Sequence, residues 1–295
     1  MIEDIDKFDA MDTRDLATFA TVARLGGIGR AARALNTVQS NVTQRVRRLE
    51  ASLGIALFER SRSGVSLTAA GQRLIPYAAR LDALLDEARR VARDDGAPRG
   101  ALTVGALETT AALRLSPLLA AYAADHPEVD LVLRTGTTAE LVEAVLAREL
   151  EGAFVCGPIA HADLVTSPVF EEELALLSSP AQRSVAAILG HPDLRLIILR
   201  AGCSYRQRLE EMLARRGIVG LRRLEFGTLE AILGAVAAGL GITLMPRALV
   251  GSRWRGRIAV HRLPKTEARV QTLFVRRRDM LCSSALVAFQ RRVTR

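Results

Sequence analysis

The sequence predicts an α/β protein in two unequal parts, an N-terminal portion that is all-α apart from one short hairpin and a larger remainder in which strands alternate with helices. Three observations carry this. Apolar residues recur at helical spacing from residue 13 to residue 93. From residue 102 onward the pattern changes to short β-branched runs separated by helical segments. At 295 residues the chain is also too long for one small core.

The bulk composition narrows the class. A hydrophobic fraction of 49% with 25% charged residues is that of a folded, water-soluble protein. Met1 to Asp15 hold six acids and no apolar stretch, which is neither a secretory nor a transit signal and predicts a cytoplasmic protein. The longest apolar run, Ala231 to Pro246, is broken by Gly234, Gly239 and Gly241 and is shorter than the roughly 20 residues of a membrane span, so no membrane partner is expected. Cys156, Cys203 and Cys282 form no CxxC pair, and His126, His161, His191 and His261 are equally scattered. Neither a disulfide framework, a metal site nor a resident cofactor is expected from such a set.

Charge is concentrated. Between Arg24 and Arg73 nine arginines stand against two acids, Glu50 and Glu59, while the flanking segments are acidic. A compact basic block is the electrostatic footprint of a polyanion site, with a solvated arginine-rich face as its plainer alternative. Within it, Leu16, Phe19, Ala20, Val22 and Ala23 mark a helix over 13–25 that stops at Gly26-Gly27. Ala31, Ala32 and Leu35 mark a short second helix ending at Asn36. Val42, Val46, Leu49 and Leu53 mark a third over 39–53, closed by Gly54.

The outward face of the third helix is Gln39, Ser40, Thr43, Gln44 and Arg47, with Asn41 and Arg45 at its edges. Amides, hydroxyls and guanidiniums of this kind hydrogen-bond base edges and phosphates. A merely solvated face is normally rich in Glu and Lys, and this one has neither before Glu50. Two short strands around Ser63-Gly64 then predict a hairpin with Arg60 and Arg62 near its tip, in reach of phosphate or minor groove. The DNA-binding candidates are therefore Arg30, Arg33, Thr37, Gln39, Ser40, Asn41, Thr43, Gln44, Arg45, Arg47, Arg60 and Arg62.

The run Ala31-Ala32-x-x-Leu35, Gln39-Ser40-x-Val42-Thr43, Arg48-Leu49-Glu50-x-x-Leu53-Gly54, Leu57-Phe58-x-Arg60 and Leu67-Thr68-x-Ala70-Gly71 resembles the winged helix-turn-helix of LysR-type transcriptional regulators along its whole length. Val38 and Asn41 depart from the family's pattern, which usually has serine and a small residue there. The resemblance implies a DNA-binding domain over 12–70, a linker and dimerisation helix with hinge over 71–97, and an effector-binding regulatory domain over 98–295. Leu74, Ala78, Leu81, Leu85, Ala88 and Ala92 fall in steps of three and four along the linker helix, and such a stripe needs a partner, either a second subunit or an intramolecular face. The family implies the former: a dimer, with a tetramer as the commoner full assembly, on double-stranded DNA carrying an interrupted inverted repeat, with RNA polymerase as a candidate further partner.

In the remainder, strands are predicted at 102–107, 129–133, 152–156, 196–199 and 222–226, and helices near 110–124, 138–149, 204–216, 228–239 and 280–294. A faint internal echo, Gly136-Thr-Thr138-x-Glu140 against Phe226-Gly-Thr228-x-Glu230, points to two similar halves facing across a cleft. With the N-terminal match, this resembles the two-lobed, periplasmic-binding-protein-like effector domain of the family, with lobes at about 98–165 plus 270–295 and about 166–269. Turns at strand ends present Glu108, Thr109, Thr110, Thr137, Thr138, Cys203, Ser204, Tyr205, Gly227 and Thr228 as effector-binding candidates, suited to a small carboxylate or other anion, while ordinary helix capping is the competing explanation for each. Gly157-Pro158 and Thr243 to Pro246 stand behind them.

Other classes fare worse. No GxSxG, Walker loop, GxGxxG or HExxH occurs, so no enzyme is expected. An architectural DNA-binding protein without a ligand and a redox-sensing regulator working through Cys203 remain the alternatives. The segment Arg247 to Arg278, with ten Lys or Arg and one acid, reads equally as a solvated rim, a subunit contact or an anion-attracting surface.

Overall fold

The structure, a computed structural model, describes residues 11–61, 64–191, 193–199 and 202–293, with Arg60, Ser61 and Gly64 described by their backbone alone. Contacts divide the chain into two units, Met1–Arg93 and Asp94–Arg295.

The first unit opens with α1 (Thr13–Leu25), whose N-terminus is capped by the Asp12 carboxylate and whose C-terminus ends on Gly26 in the left-handed region, φ 64°. Helix α2 (Ile28–Ala34) and α3 (Gln39–Leu53) follow, α3 closing on Gly54 at φ 65°. Every third or fourth residue of these helices is apolar because one face of each must be dry. Phe19, Val22, Ala31, Val42 and Leu49 are the buried result. Two further contacts hold the arrangement: Arg48 of α3 grips the buried Asp15 of α1 through Nε and Nη2, at 2.5 and 2.6 Å, and Glu50 accepts from the amides of Leu57 and Phe58 at 2.8 and 3.2 Å. Strands β1 (Phe58–Ser61) and β2 (Gly64–Leu67) form the antiparallel hairpin. The long helix α4 (Ala69–Arg93) starts under the Thr68 hydroxyl, which accepts from the Gly71 amide at 3.0 Å. Gly71 is required here: a Cβ would stand 2.3 Å from the Leu57 carbonyl oxygen.

In the second unit, β3 (Gly100–Ala106), β4 (Val129–Thr135) and β5 (Gly152–Cys156) run parallel, connected by α5 (Glu108–Thr110), a π-helical turn over Ala111–Leu115, α6 (Ser116–Asp125) and α7 (Thr138–Leu146). A 15-residue strand, β6 (Leu164–Ser178), then leaves this lobe for the next. There the chain forms α8 (Val185–Leu189), β7 (Arg195–Leu199), α9 (Ser204–Ala214), β8 (Arg222–Phe226), α10 (Leu229–Ala237), β9 (Thr243–Pro246) and β10 (Ala259–Arg262). After the short α11 (Lys265–Ala268), β11 (Arg269–Arg277) returns antiparallel to both β5 and β6, and α12 (Ser284–Val293) ends the described chain. The two lobes thus share a spine: β11 pairs with residues 164–173 of β6, whereas β9 and β10 flank the far end of the same strand.

Four strands absent from the sequence expectation are β6, β9, β10 and β11. The π turn also splits what was expected as one helix over 110–124. Glu171, Glu172 and Glu173 lie within β6 and pair with Arg269, Arg114 and Arg247 respectively. The basic segment 247–278 is thereby given a further reading that its composition did not suggest: part of it supplies β10, β11 and intramolecular ion pairs, including Arg253 with Glu230.

Candidate DNA interface and effector cleft

The third helix presents the face expected of it. Gln39, Ser40, Gln44 and Arg47 are exposed, Thr43 is half-buried, and Val42, Val46 and Leu49 form the dry side. Asn41 donates to the Thr37 hydroxyl at 2.9 Å, and Arg45 donates to the Asn41 carbonyl at 3.4 Å, so three of the candidates form one chain of bonds along the N-terminal turn. Arg33 stands exposed on α2. Arg30 also serves locally, its guanidinium donating to the Leu25 and Gly26 carbonyls at the end of α1. The Gln39 amide lies over Gly29, where an added Cβ would be 3.2 Å away. Arg62 lies outside the described residues, as does the side chain of Arg60.

In the second unit the strand ends of the two lobes meet. The Thr109 hydroxyl, at the start of α5, is 3.4 Å from the Tyr205 hydroxyl on α9. The Leu229 amide, first in α10, donates to the Glu108 carboxylate at 3.5 Å. Arg208 of α9 donates to the Gly157 carbonyl at 2.7 Å and also engages the Cys156 sulfur. Gly202, at φ 88°, approaches Thr137 so closely that a Cβ would be 2.7 Å from its hydroxyl oxygen. Glu108, Thr109, Thr137 and Tyr205 are thereby brought together from the predicted set, with Thr110 and Thr138 buried behind them.

Capping claims several of these hydroxyls. Thr137 forms a full capping box with Glu140 at α7, and Thr228 accepts from the Ala231 amide at 3.2 Å. Thr138 accepts from the Cys156 amide at 3.3 Å. Gly227 and Thr228 stay exposed at the rim. The turn at Cys203 behaves differently: its sulfur faces the backbone amides of Tyr205 and Arg206 at the start of α9, whereas Leu107 supplies no side-chain cap to α5.

Arg208 was missed by sequence reasoning, and the structure brings its guanidinium to these strand ends. Its signal was present: it lies four residues after Ser204 and three after Tyr205, on one face of the same helix. Burial pushes the Tyr205 hydroxyl and the Cys156 and Cys203 thiols upward in pKa, against weaker opposing hydrogen bonds, so all three are neutral near pH 7. A thiol held protonated by burial is a poor redox sensor, which weighs against Cys203 in that role. Among the described residues no cluster of three or more metal-ligating side chains occurs, and no helix is long and apolar enough to cross a membrane.

Comparison with known proteins gives these features a family. Residues 13–72 match the bacterial regulatory helix-turn-helix protein, lysR family, and residues 95–295 match the LysR substrate binding domain. The HTH-type transcriptional regulator GltR of Bacillus subtilis (strain 168) is 43% identical over 256 residues, covering 86% of each chain. YofA of the same organism, also an HTH-type transcriptional regulator, is 41% identical over 256 residues, covering 86% of this chain and 88% of its own. Among solved structures, full-length CbnR in complex with its target DNA superposes with a TM-score of 0.68 at 26% identity, over 96% of this chain and 99% of that one. A full-length cysteine variant of OxyR from Pseudomonas aeruginosa shares the fold, with a TM-score of 0.67 at 23% identity over 96% and 94% of the two chains. A helix-turn-helix with a polar, arginine-bearing third helix, joined to a two-lobed α/β domain, thus belongs to a chain of the LysR family of DNA-binding transcriptional regulators.

Proposed function

We propose that the chain acts in the cytoplasm as a dimer or tetramer on an interrupted inverted repeat, and that a small anionic effector held between its two lobes changes transcription from the promoters it occupies. In this reading 12–70 bind DNA, 71–97 pair two copies, and 98–295 sense the effector, with RNA polymerase as the partner that reads the outcome. The single observation that carries the DNA part is the outward face of α3, where the Ser40, Gln44 and Arg47 side chains make no hydrogen bond to other described residues. Side chains of this type without a protein partner are suited to base edges and phosphates. The relative CbnR, crystallised on its target DNA, shares this architecture.

Pairing of copies is supported by an apolar hollow of about 640 Å³ between α1 and α4, lined by Ala20, Leu67, Ile75 and Ala78 among others. Tyr77 and Leu84 stand exposed on α4, 64% and 45% accessible. An apolar groove beside exposed apolar side chains on one long helix fits a second copy of that helix.

The effector reading rests on Arg208 and the buried hydroxyls of Thr109 and Tyr205, which the strand ends of the two lobes bring together. The carboxylate of Glu108, turned to the start of α10, puts one negative group at the same mouth. The test is a thermal-melt screen of the purified protein against small mono- and dicarboxylates. A carboxylate that raises the melting temperature of the wild type and not of Arg208→Gln supports the assignment; stabilisation by cationic or neutral compounds alone overturns it.

A further inference from the structure

We propose that Val38 is a specificity-determining residue that reads the C5-methyl group of a thymine in the major groove, an inference that rests on α3 being the DNA-reading helix. Val38 is the N-cap of α3, with φ −91° and ψ 152°, and it offers no side-chain capping bond. The N-cap position of a helix favours Ser, Thr, Asn or Asp because their oxygens accept from the first free amides. Valine gives that bond up. The residue is moreover 65% exposed, the highest value among the large apolar residues described in the helix-turn-helix. Exposure of this size on a free protein gains nothing from burial.

The surroundings show what it faces. Val38 lies between Thr37 and Gln39 on the rim of a hollow of about 670 Å³ that is lined as well by Gly29, Arg30, Ala32 and Arg33. The Thr37 hydroxyl is already committed to Asn41, and Gln39 lies back over Gly29, so Val38 is the apolar projection at the tip of this turn. On the major-groove edges of the four bases, the one apolar group is the thymine methyl. An uncapped start of α3 also leaves its first amides for a phosphate oxygen, so the cap position divides its work between backbone and base.

The experiment selects a binding site for the full-length protein from a random duplex pool, then replaces each thymidine of that site singly by deoxyuridine, which removes the methyl and nothing else. For the wild type, one thymidine in each half-site loses about fourfold in affinity, the worth of one buried methylene-sized group. For Val38→Ser the same substitution has no effect, while Arg47→Ala retains it. Val38→Ser restores a capping hydroxyl and melts no lower than the wild type, which separates loss of contact from loss of fold. If the selected site binds and weakens in Arg47→Ala, but no uridine position distinguishes wild type from Val38→Ser, the Val38 assignment is overturned alone. If no sequence is enriched, the reading of α3 falls and this one with it.

Discussion

Arg208 of α9 donates to the Gly157 carbonyl at 2.7 Å, and by that bond one lobe of the effector domain holds the strand end of the other. The same guanidinium also engages the buried Cys156 sulfur, and in the proposed effector reading it exchanges a backbone carbonyl for an effector anion. Arg208→Gln is expected to weaken a carboxylate effector by about 10- to 100-fold, since a hydrogen bond to a charged group is worth about 1.5–3 kcal/mol. DNA affinity without effector stays within about twofold, because no residue of α3 is touched. Isothermal titration with the carboxylate that stabilises the wild type, alongside DNA binding, checks both halves.

Asp15 and Arg48 behave as a unit. The Asp15 side chain is 2% exposed and receives both hydrogen bonds from Arg48. Arg48→Ala strands a buried carboxylate and lowers the melting temperature, whereas Arg48→Ala with Asp15→Asn recovers part of the loss, because removing one partner of such a pair costs more than removing the charge from both. A double-mutant cycle by thermal melting measures it; equal melting of the single and double variants contradicts the pairing.

Gly71→Ala brings a methyl group to 2.3 Å from the Leu57 carbonyl oxygen, backbone against backbone. Relief requires α4 to shift off the hairpin, at an expected cost of about 1–3 kcal/mol. Urea denaturation of the variant reads this directly, and an unchanged midpoint would show that the two elements are not packed as described.

His261 of β10 shares a 2.8 Å hydrogen bond with the buried Ser178 hydroxyl, and burial holds its pKa below the usual histidine value. The folded state therefore prefers the neutral ring, while the unfolded chain takes up the proton near pH 6.5. Stability from this site is full above about pH 6.5, falls as the pH is lowered through that value, and levels off once the folded form is protonated too. His261→Gln flattens the decline in melting temperature between about pH 7.5 and 5; a wild-type melting temperature independent of pH in that window would contradict it.

The helical third was legible because its signals are local. The spacing of Leu16, Phe19 and Val22, the stop at Gly26, and the sequence Val42, Val46, Leu49 before Gly54 each fix a helix without reference to anything distant, and α1 and α3 span the residues so read. The lobes were legible only where a parallel strand feeds a helix, as at Thr137 and Thr228, both of which cap the helix that follows. Strand β6 was not, for two reasons. Pro168 lacks an amide hydrogen and sits where the register with β11 shifts, a place a strand tolerates proline. The three glutamates that follow are offset by arginines far away in sequence, and no local pattern announces such pairing. Arg208 shares a helix face with Ser204 and Tyr205, but that spacing does not reveal its partner Gly157, 51 residues earlier and on the other lobe.

The central claim, sequence-selective DNA binding through α3, is tested most directly by equilibrium binding of the purified protein to a labelled duplex from the intergenic region upstream of its own gene. A shuffled duplex serves as competitor, at two salt concentrations and again with Arg47→Ala. The expected result is preference for the true duplex, salt-sensitive affinity, and a variant that binds more weakly with a log–log salt slope smaller by about one. Equal affinity for true and shuffled duplexes, unchanged in Arg47→Ala, would contradict it.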